Sequence, residues 1–117
     1  MIESKEVQTF TPAQGVESYM LGVISTGYVT EASSVVLDNA RELNIFFVQP
    51  LQYGWLINFW SDNNDDPEMH WKHVLKQHGI DEGTIDNLQR MQDKGYSVVM
   101  LDRDGDDEIE FLDWLGD

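Results

Sequence analysis

Two aromatic-rich runs, Ile45-Phe46-Phe47-Val48 and Trp55-Leu56-Ile57-Asn58-Phe59-Trp60, are separated by a few residues that include Pro50 and Gly54. β-Branched and aromatic residues suit a pleated, half-buried surface. A connection this short cannot return the chain for a parallel pairing, which takes a dozen or more residues. The runs therefore predict two antiparallel strands joined by a hairpin loop at 50–54, and any fold for this chain must accommodate that hairpin.

The flanking patterns supply the rest. The run 19–25, apolar on both faces, predicts a strand in an inner sheet position. Thr26-Gly27 turns the chain, and Thr30 can cap a helix reaching about Leu43, with Ala32, Val35, Val36, Ala40 and Leu43 inward and Glu31, Ser34, Asp38 and Arg41 outward. Asn44 is its expected stop. Asp66-Pro67 predicts a second helix start, with Trp71, Val74, Leu75 and His78 on one face and Gly79 as the end. A third short helix from Asp81 presents Ile85, Leu88 and Met91 and ends by Lys94-Gly95. Residues 96–101 read as a strand, and 108–114 as either a further strand or a short terminal helix.

The expected class is α+β, a mainly antiparallel sheet with about three helices packed on one face, in the order β-α-β-β-α-α-β(-β). The chain has 117 residues, 41% of them hydrophobic, with four Trp, five Phe and four Tyr. That is enough for one core without disulfides or a structural metal. Residues 1–15 are expected to form an extended or mobile N-terminal arm, and 16–117 a single acidic domain.

Charge narrows the function. Twenty-two Asp and Glu face seven Lys and Arg, a formal net charge of −15. Such a surface repels phosphate backbones and anionic lipids and favours basic partners, which argues against direct nucleic-acid or membrane binding. Cysteine is absent, excluding disulfide frameworks, thiolate catalysis and Cys-based metal sites. The start Met1-Ile2-Glu3-Ser4-Lys5-Glu6 carries acid where a signal peptide carries base, and no apolar run approaches ~20 residues. A cytoplasmic protein is expected.

The motifs that could carry chemistry are few. Residues 102–113 place Asp102, Asp104 and Asp106 at the first, third and fifth positions of an EF-hand-like loop. However, Asp107 stands where that loop needs glycine, and Asp113 where it needs a bidentate glutamate. A solvated acidic turn is the expectation. His70 and His73, one helical turn apart near Asp66, have a spacing that permits a metal pair, but no His-Glu-x-x-His pattern is present. Ser25 and Thr26 beside Gly27 lack a nucleophile-elbow pattern, and no phosphate-binding Gly-rich loop occurs. Phe46, Phe47, Tyr53, Trp55, Phe59 and Trp60 are expected mainly to pack in the core. Tyr53, and whichever of Trp55, Trp60 or Trp114 faces outward, would be natural interface anchors ringed by acid.

Three stretches, 23–30 (Val-Ile-Ser-Thr-Gly-Tyr-Val-Thr), 53–57 (Tyr-Gly-Trp-Leu-Ile) and 95–105 with its Leu101-Asp102-Arg103-Asp104-Gly105 end, together resemble an uncharacterised family of small proteins from bacterial plasmids, prophages and other mobile elements. The resemblance spans most of 20–115. Tyr28 departs from the histidine expected after the Ser-Thr-Gly turn, which puts any chemistry of such a histidine in doubt. What the resemblance implies is context: members often accompany antirestriction genes, and small acidic mobile-element proteins often occupy nucleic-acid-binding grooves of host defence proteins.

The expected function is an acidic protein-binding module, not an enzyme and without a cofactor, that inhibits a basic nucleic-acid-processing or host-defence protein by nucleic-acid mimicry. Its partner-binding residues are expected to be Asp102, Asp104, Asp106, Asp107, Glu108, Glu110 and Asp113, with Asp62, Asp65, Asp66, Glu68 and Tyr53. The alternatives are an immunity protein for a basic toxin, and a small metal-dependent enzyme or calcium-binding module.

Overall fold

A computed structural model describes residues 7–8, 20–59 and 70–116. Its elements are β1 (Val7–Gln8), β2 (Leu21–Ser25), a 3-10 turn (Thr26–Tyr28), α1 (Glu31–Asp38), β3 (Val48–Leu51), β4 (Gly54–Asn58), α2 (Trp71–Gln77), α3 (Glu82–Asp93) and β5 (Val98–Asp102). They form an α+β domain around a five-stranded sheet of order β1-β2-β5-β4-β3. Three of its four pairings are antiparallel, and the parallel one, β2 with β5, lies inside the sheet.

The register shows which face carries the core. Ile24, Leu101 and Trp55 lie in one row across β2, β5 and β4, and Gly22, Val99 and Ile57 in another. All six are buried, whereas Val23, Met100 and Leu56, which alternate with them, are half-exposed. Strand alternation thus turns one face into the core. Leu37, Trp71, Leu75, Ile85, Leu88 and Met91 from the three helices complete it, and the Phe59 and Trp71 rings meet at 4.8 Å.

The hairpin forms as the sequence predicts, but β3 starts at Val48, three residues later than expected, and the two-residue turn is Gln52-Tyr53. Ile45, Phe46 and Phe47 instead belong to the approach to the strand. Pro50 thereby falls within β3, at the sheet edge, where a strand is hydrogen-bonded on one side only and a missing amide is tolerated. Val7–Gln8, from the expected N-terminal arm, forms the opposite edge strand against β2, which takes the inner position its apolar faces predict.

Helix α1 corrects the expectation in two ways. It ends at Asp38, and turns lead to Asn44, whose φ of 59° marks the stop. Its buried line is Ser33, Leu37 and Ala40, while Ala32, Val35 and Leu43 are exposed. The cause is a polar contact that apolar periodicity cannot register. Asp81, the N-cap of α3, accepts hydrogen bonds from the hydroxyls of Thr30, Ser33 and Thr84 and from the Thr84 amide, while the Ser33 hydroxyl accepts from the Asp81 amide. Thr30 in turn caps α1. One carboxylate therefore serves the positive ends of two helices and rotates α1 so that Ser33 is buried against it.

Helix α3 starts after Asp81, buries Ile85, Leu88 and Met91, and ends at Lys94-Gly95, as read from the sequence. Helix α2 is described from its N-cap His70, whose Nδ1 accepts the Lys72 amide at 3.2 Å. The expected start at Asp66-Pro67 lies outside the described residues. No helix among the described residues is long and apolar enough to cross a membrane.

Residues 108–114 form neither strand nor helix, which corrects both alternatives. Ile109 and Leu112 are buried three residues apart, a Leu112 amide to Ile109 carbonyl bond closes a single turn, and side chains from elsewhere pair with the Ile109 and Asp113 amides and the Phe111 and Asp113 carbonyls. An irregular segment is stable where its polar groups find such partners.

Candidate interaction surface

The acidic segment after β5 is a fixed structure. Ser25 donates its amide to the Asp106 carbonyl, and the Ile109 amide donates to the Tyr28 hydroxyl at 2.8 Å. The side chain of Asn87, 1% exposed, donates to the carbonyls of Tyr28 and Asp113, while its own carbonyl accepts the Asp113 amide at 2.9 Å. The Arg90 guanidinium reaches the Phe111 carbonyl and, at 3.2 Å, the Asp113 carboxylate. These ties leave Asp104, Asp107, Glu108, Glu110 and Asp113 on the outside. Among the described residues, Asp113 alone of these has a basic partner.

Within the segment, Asp102 and Asp106 are half-buried, and each accepts the backbone amide two residues on, from Asp104 and Glu108. Their carboxylates thus shape the chain, and Asp113 points to Arg90. No group of three or more His, Asp or Glu side chains that could hold a metal ion occurs among the described residues.

Because Asn87 both donates to and accepts from the segment, Asn87→Ala is expected to lower stability by about 1–3 kcal/mol, the cost of leaving buried backbone groups unpaired. It should also speed amide exchange at Ile109 and Asp113. Exchange at those two amides no faster than in the parent protein would show that Asn87 is not what holds the segment.

Beside this segment lies an open groove of about 650 Å³. It sits where β2 and β5, the parallel pair, both end, a position at which open sheets containing parallel strands commonly leave a crevice. One wall is α1, through Glu31, Ser34 and Asp38; the other is the β3–β4 turn with Tyr53 and Arg103; Thr26 and Gly27 also line it. Residues from all three stretches that carry the sequence resemblance line this groove: Ser25 to Gly27, Tyr53 to Trp55, and Arg103.

Two close approaches shape the groove. A Cβ on Gly54 would lie 1.6 Å from the Leu101 carbonyl oxygen, so only glycine lets β4 start this close to β5. A Cβ on Gly27 would fall about 2 Å from the Trp114 ring, and the Gly27 carbonyl accepts both the Leu115 and Gly116 amides at 2.8 Å. Trp114 is thereby held edge-on to Tyr28, centroids 5.4 Å apart, while remaining 49% exposed.

Trp114 lines two depressions, the groove and a second, smaller one of about 490 Å³ with Asp107, Glu108 and Glu110. Trp114 is thus shared between the groove and the depression over the acidic segment. Tyr53, 46% exposed, also lines the groove, with the Arg103 guanidinium 4.1 Å from its ring centroid.

The structure therefore brings together Asp107, Glu108 and Glu110 beside Trp114, and Trp114 with Tyr53 in the lining of the groove. Asp62, Asp65, Asp66 and Glu68 lie outside the described residues, as does Trp60. Sequence reading missed Glu31, Asp38 and Arg103 as members of the surface; the i, i+7 spacing of the two acids on a capped helix was the available signal. Phe47, Trp55 and Phe59 are core residues, as expected, and Phe46 is exposed.

Residues 21–114 match the model of a family of unknown function, DUF5983, C-terminal domain. No curated protein and no solved structure matches the chain.

Proposed function

The chain belongs to this family, and we propose that it works as an acidic protein-binding module that occupies a basic surface on its partner. The observation that carries this reading is that the exposed carboxylates at 104–113 are mounted on a backbone already tied to the fold by Asn87, Tyr28 and Arg90. A preorganised display loses little conformational entropy on binding. With a net charge of −15, it accelerates encounter with a basic partner and repels nucleic acid. Trp114 and Tyr53 supply the apolar contact area that charge alone lacks.

The proposed partner is a basic nucleic-acid-processing protein, with a host-defence enzyme as the setting suggested by the mobile-element resemblance. Carboxylates would there take the place of phosphates against Arg and Lys. The same surface would serve an immunity protein seated on a basic toxin, and the partner's identity separates the two.

The test is capture from bacterial lysate at low salt, followed by binding kinetics on the recovered protein. Neutralising Asp104, Asp107, Glu108 and Glu110 as Asn or Gln is expected to slow association about tenfold or more at low ionic strength, and the difference should shrink as salt is added. Association that is unchanged by the four substitutions and indifferent to salt would refute the electrostatic role.

A further inference from the structure

We propose that the groove between α1 and the β3–β4 turn is the specificity pocket of this surface, and that it receives an extended segment of the partner carrying an arginine or lysine side chain. The inference rests on the protein-binding reading above and adds where, and by what chemistry, the partner is selected.

Three observations favour a basic occupant. The α1 wall offers two carboxylates, Glu31 and Asp38, both exposed. Asp38 already accepts the Trp55 indole N–H at 2.8 Å through Oδ1, which orients the group and leaves Oδ2 for a donor from outside. On the facing wall, the Tyr53 ring carries the Arg103 guanidinium at 4.1 Å, showing that this ring presents its face to a planar cation. Tyr53 remains 46% exposed with Arg103 in place, so ring surface is left for a second side chain.

The groove and the acidic depression also share the exposed Trp114 indole. A chain laid along the groove would pass from Glu31 and Asp38, over Trp114, to Asp107, Glu108 and Glu110. An aromatic anchor surrounded by polar groups that exclude water is the arrangement in which a single residue carries much of the binding energy. Arg103 is the competing feature, because it could hold an anion. Against it stand the two carboxylates of the α1 wall and its own engagement on Tyr53.

Short capped peptides test this directly: one carrying two arginines, and an otherwise identical set with lysine, glutamine or aspartate in their place. They are titrated into the isotopically labelled full chain and followed by amide and indole chemical shifts, with Trp114→Phe used to assign the Trp114 indole signal. Saturable shifts are expected at the Trp114 indole and at Thr26, Gly27, Ser34 and Tyr53, with the arginine peptide binding at least about tenfold more tightly than the glutamine one. The double variant E31Q D38N, in which both altered side chains are exposed, should weaken the arginine peptide at least about fivefold while leaving shifts at 104–110 in place. Shifts confined to 104–110 would overturn the groove as the pocket and leave the acidic-surface reading standing. Preference for the aspartate peptide would overturn the basic occupant in favour of an anion held by Arg103. Absence of any salt-sensitive shift with the arginine and lysine peptides would overturn both readings together.

Discussion

Gly54→Ala is expected to destabilise the protein by about 3 kcal/mol or more, at or beyond the upper end of what overpacking a well-packed site costs. The added methyl would lie 1.6 Å from the Leu101 carbonyl oxygen, a backbone atom held in the sheet by the β4–β5 pairing. No rotamer change relieves the clash, so β4 must move away from β5 and the Gly54–Asp102 pair at the lip of the groove must open. Gly79→Ala provides the contrast. Nothing lies within 4 Å of its Cβ, and φ there is +92°, so its cost is backbone conformation alone, about 1–2 kcal/mol. Urea midpoints with unchanged m values measure both. If Gly54→Ala cost no more than Gly79→Ala, the strands would be free to spread and the close approach would not be what sets the groove's width.

The contrast also explains which parts of the fold were legible. Helix α3 could be read almost residue by residue, because Asp81, the apolar line Ile85-Leu88-Met91 and Gly95 are local signals that agree with one another. The hairpin was legible because a short loop permits one topology. The parallel pairing of β2 with β5 was not, since it depends on a contact between distant segments that no local pattern encodes. The face of α1 departs from its apolar periodicity because Ser33 is buried by a hydrogen bond to Asp81, a polar contact that the spacing of apolar side chains does not encode.

The surface was half legible for a similar reason. Charge counting found the acids at 102–113 but could not tell those that shape the backbone, Asp102 and Asp106, from those that face outward, such as Asp107 and Glu110. The first pair stand two residues before an amide they accept, the Asx-turn spacing, which is readable once a turn is assumed. Trp114 was legible only as a candidate. Its position follows from Gly27, eighty-seven positions earlier in the chain, whose missing side chain makes room for the indole.

Asp81→Ala is expected to cost about 2–4 kcal/mol near neutral pH, combining the loss of an N-cap with hydroxyls left without an acceptor at Ser33 and Thr84, both fully buried. Burial alone would raise the Asp81 pKa, but the hydroxyls of Ser33 and Thr30, then the amide and hydroxyl of Thr84, outweigh it and hold the group at about 2, below its ordinary 3.8. A carboxylate with a depressed pKa in the folded state contributes stability that is present above the unfolded value and lost as pH falls through the folded one. The gap between parent and variant should therefore be constant above about pH 4 and narrow between about pH 4 and pH 2 by up to about 2 kcal/mol. Comparing the two proteins at each pH isolates this carboxylate, because the self-repulsion of a chain at −15 changes with pH in both alike. Asp81→Asn, which keeps an acceptor oxygen at the cap but no charge, should cost less than alanine and show the same flattened acid limb. A gap as wide at pH 2 as at pH 7 would mean that the cluster works through shape and neutral hydrogen bonds. The carboxylate charge would then not be what joins the starts of α1 and α3 and fixes the α1 wall of the groove.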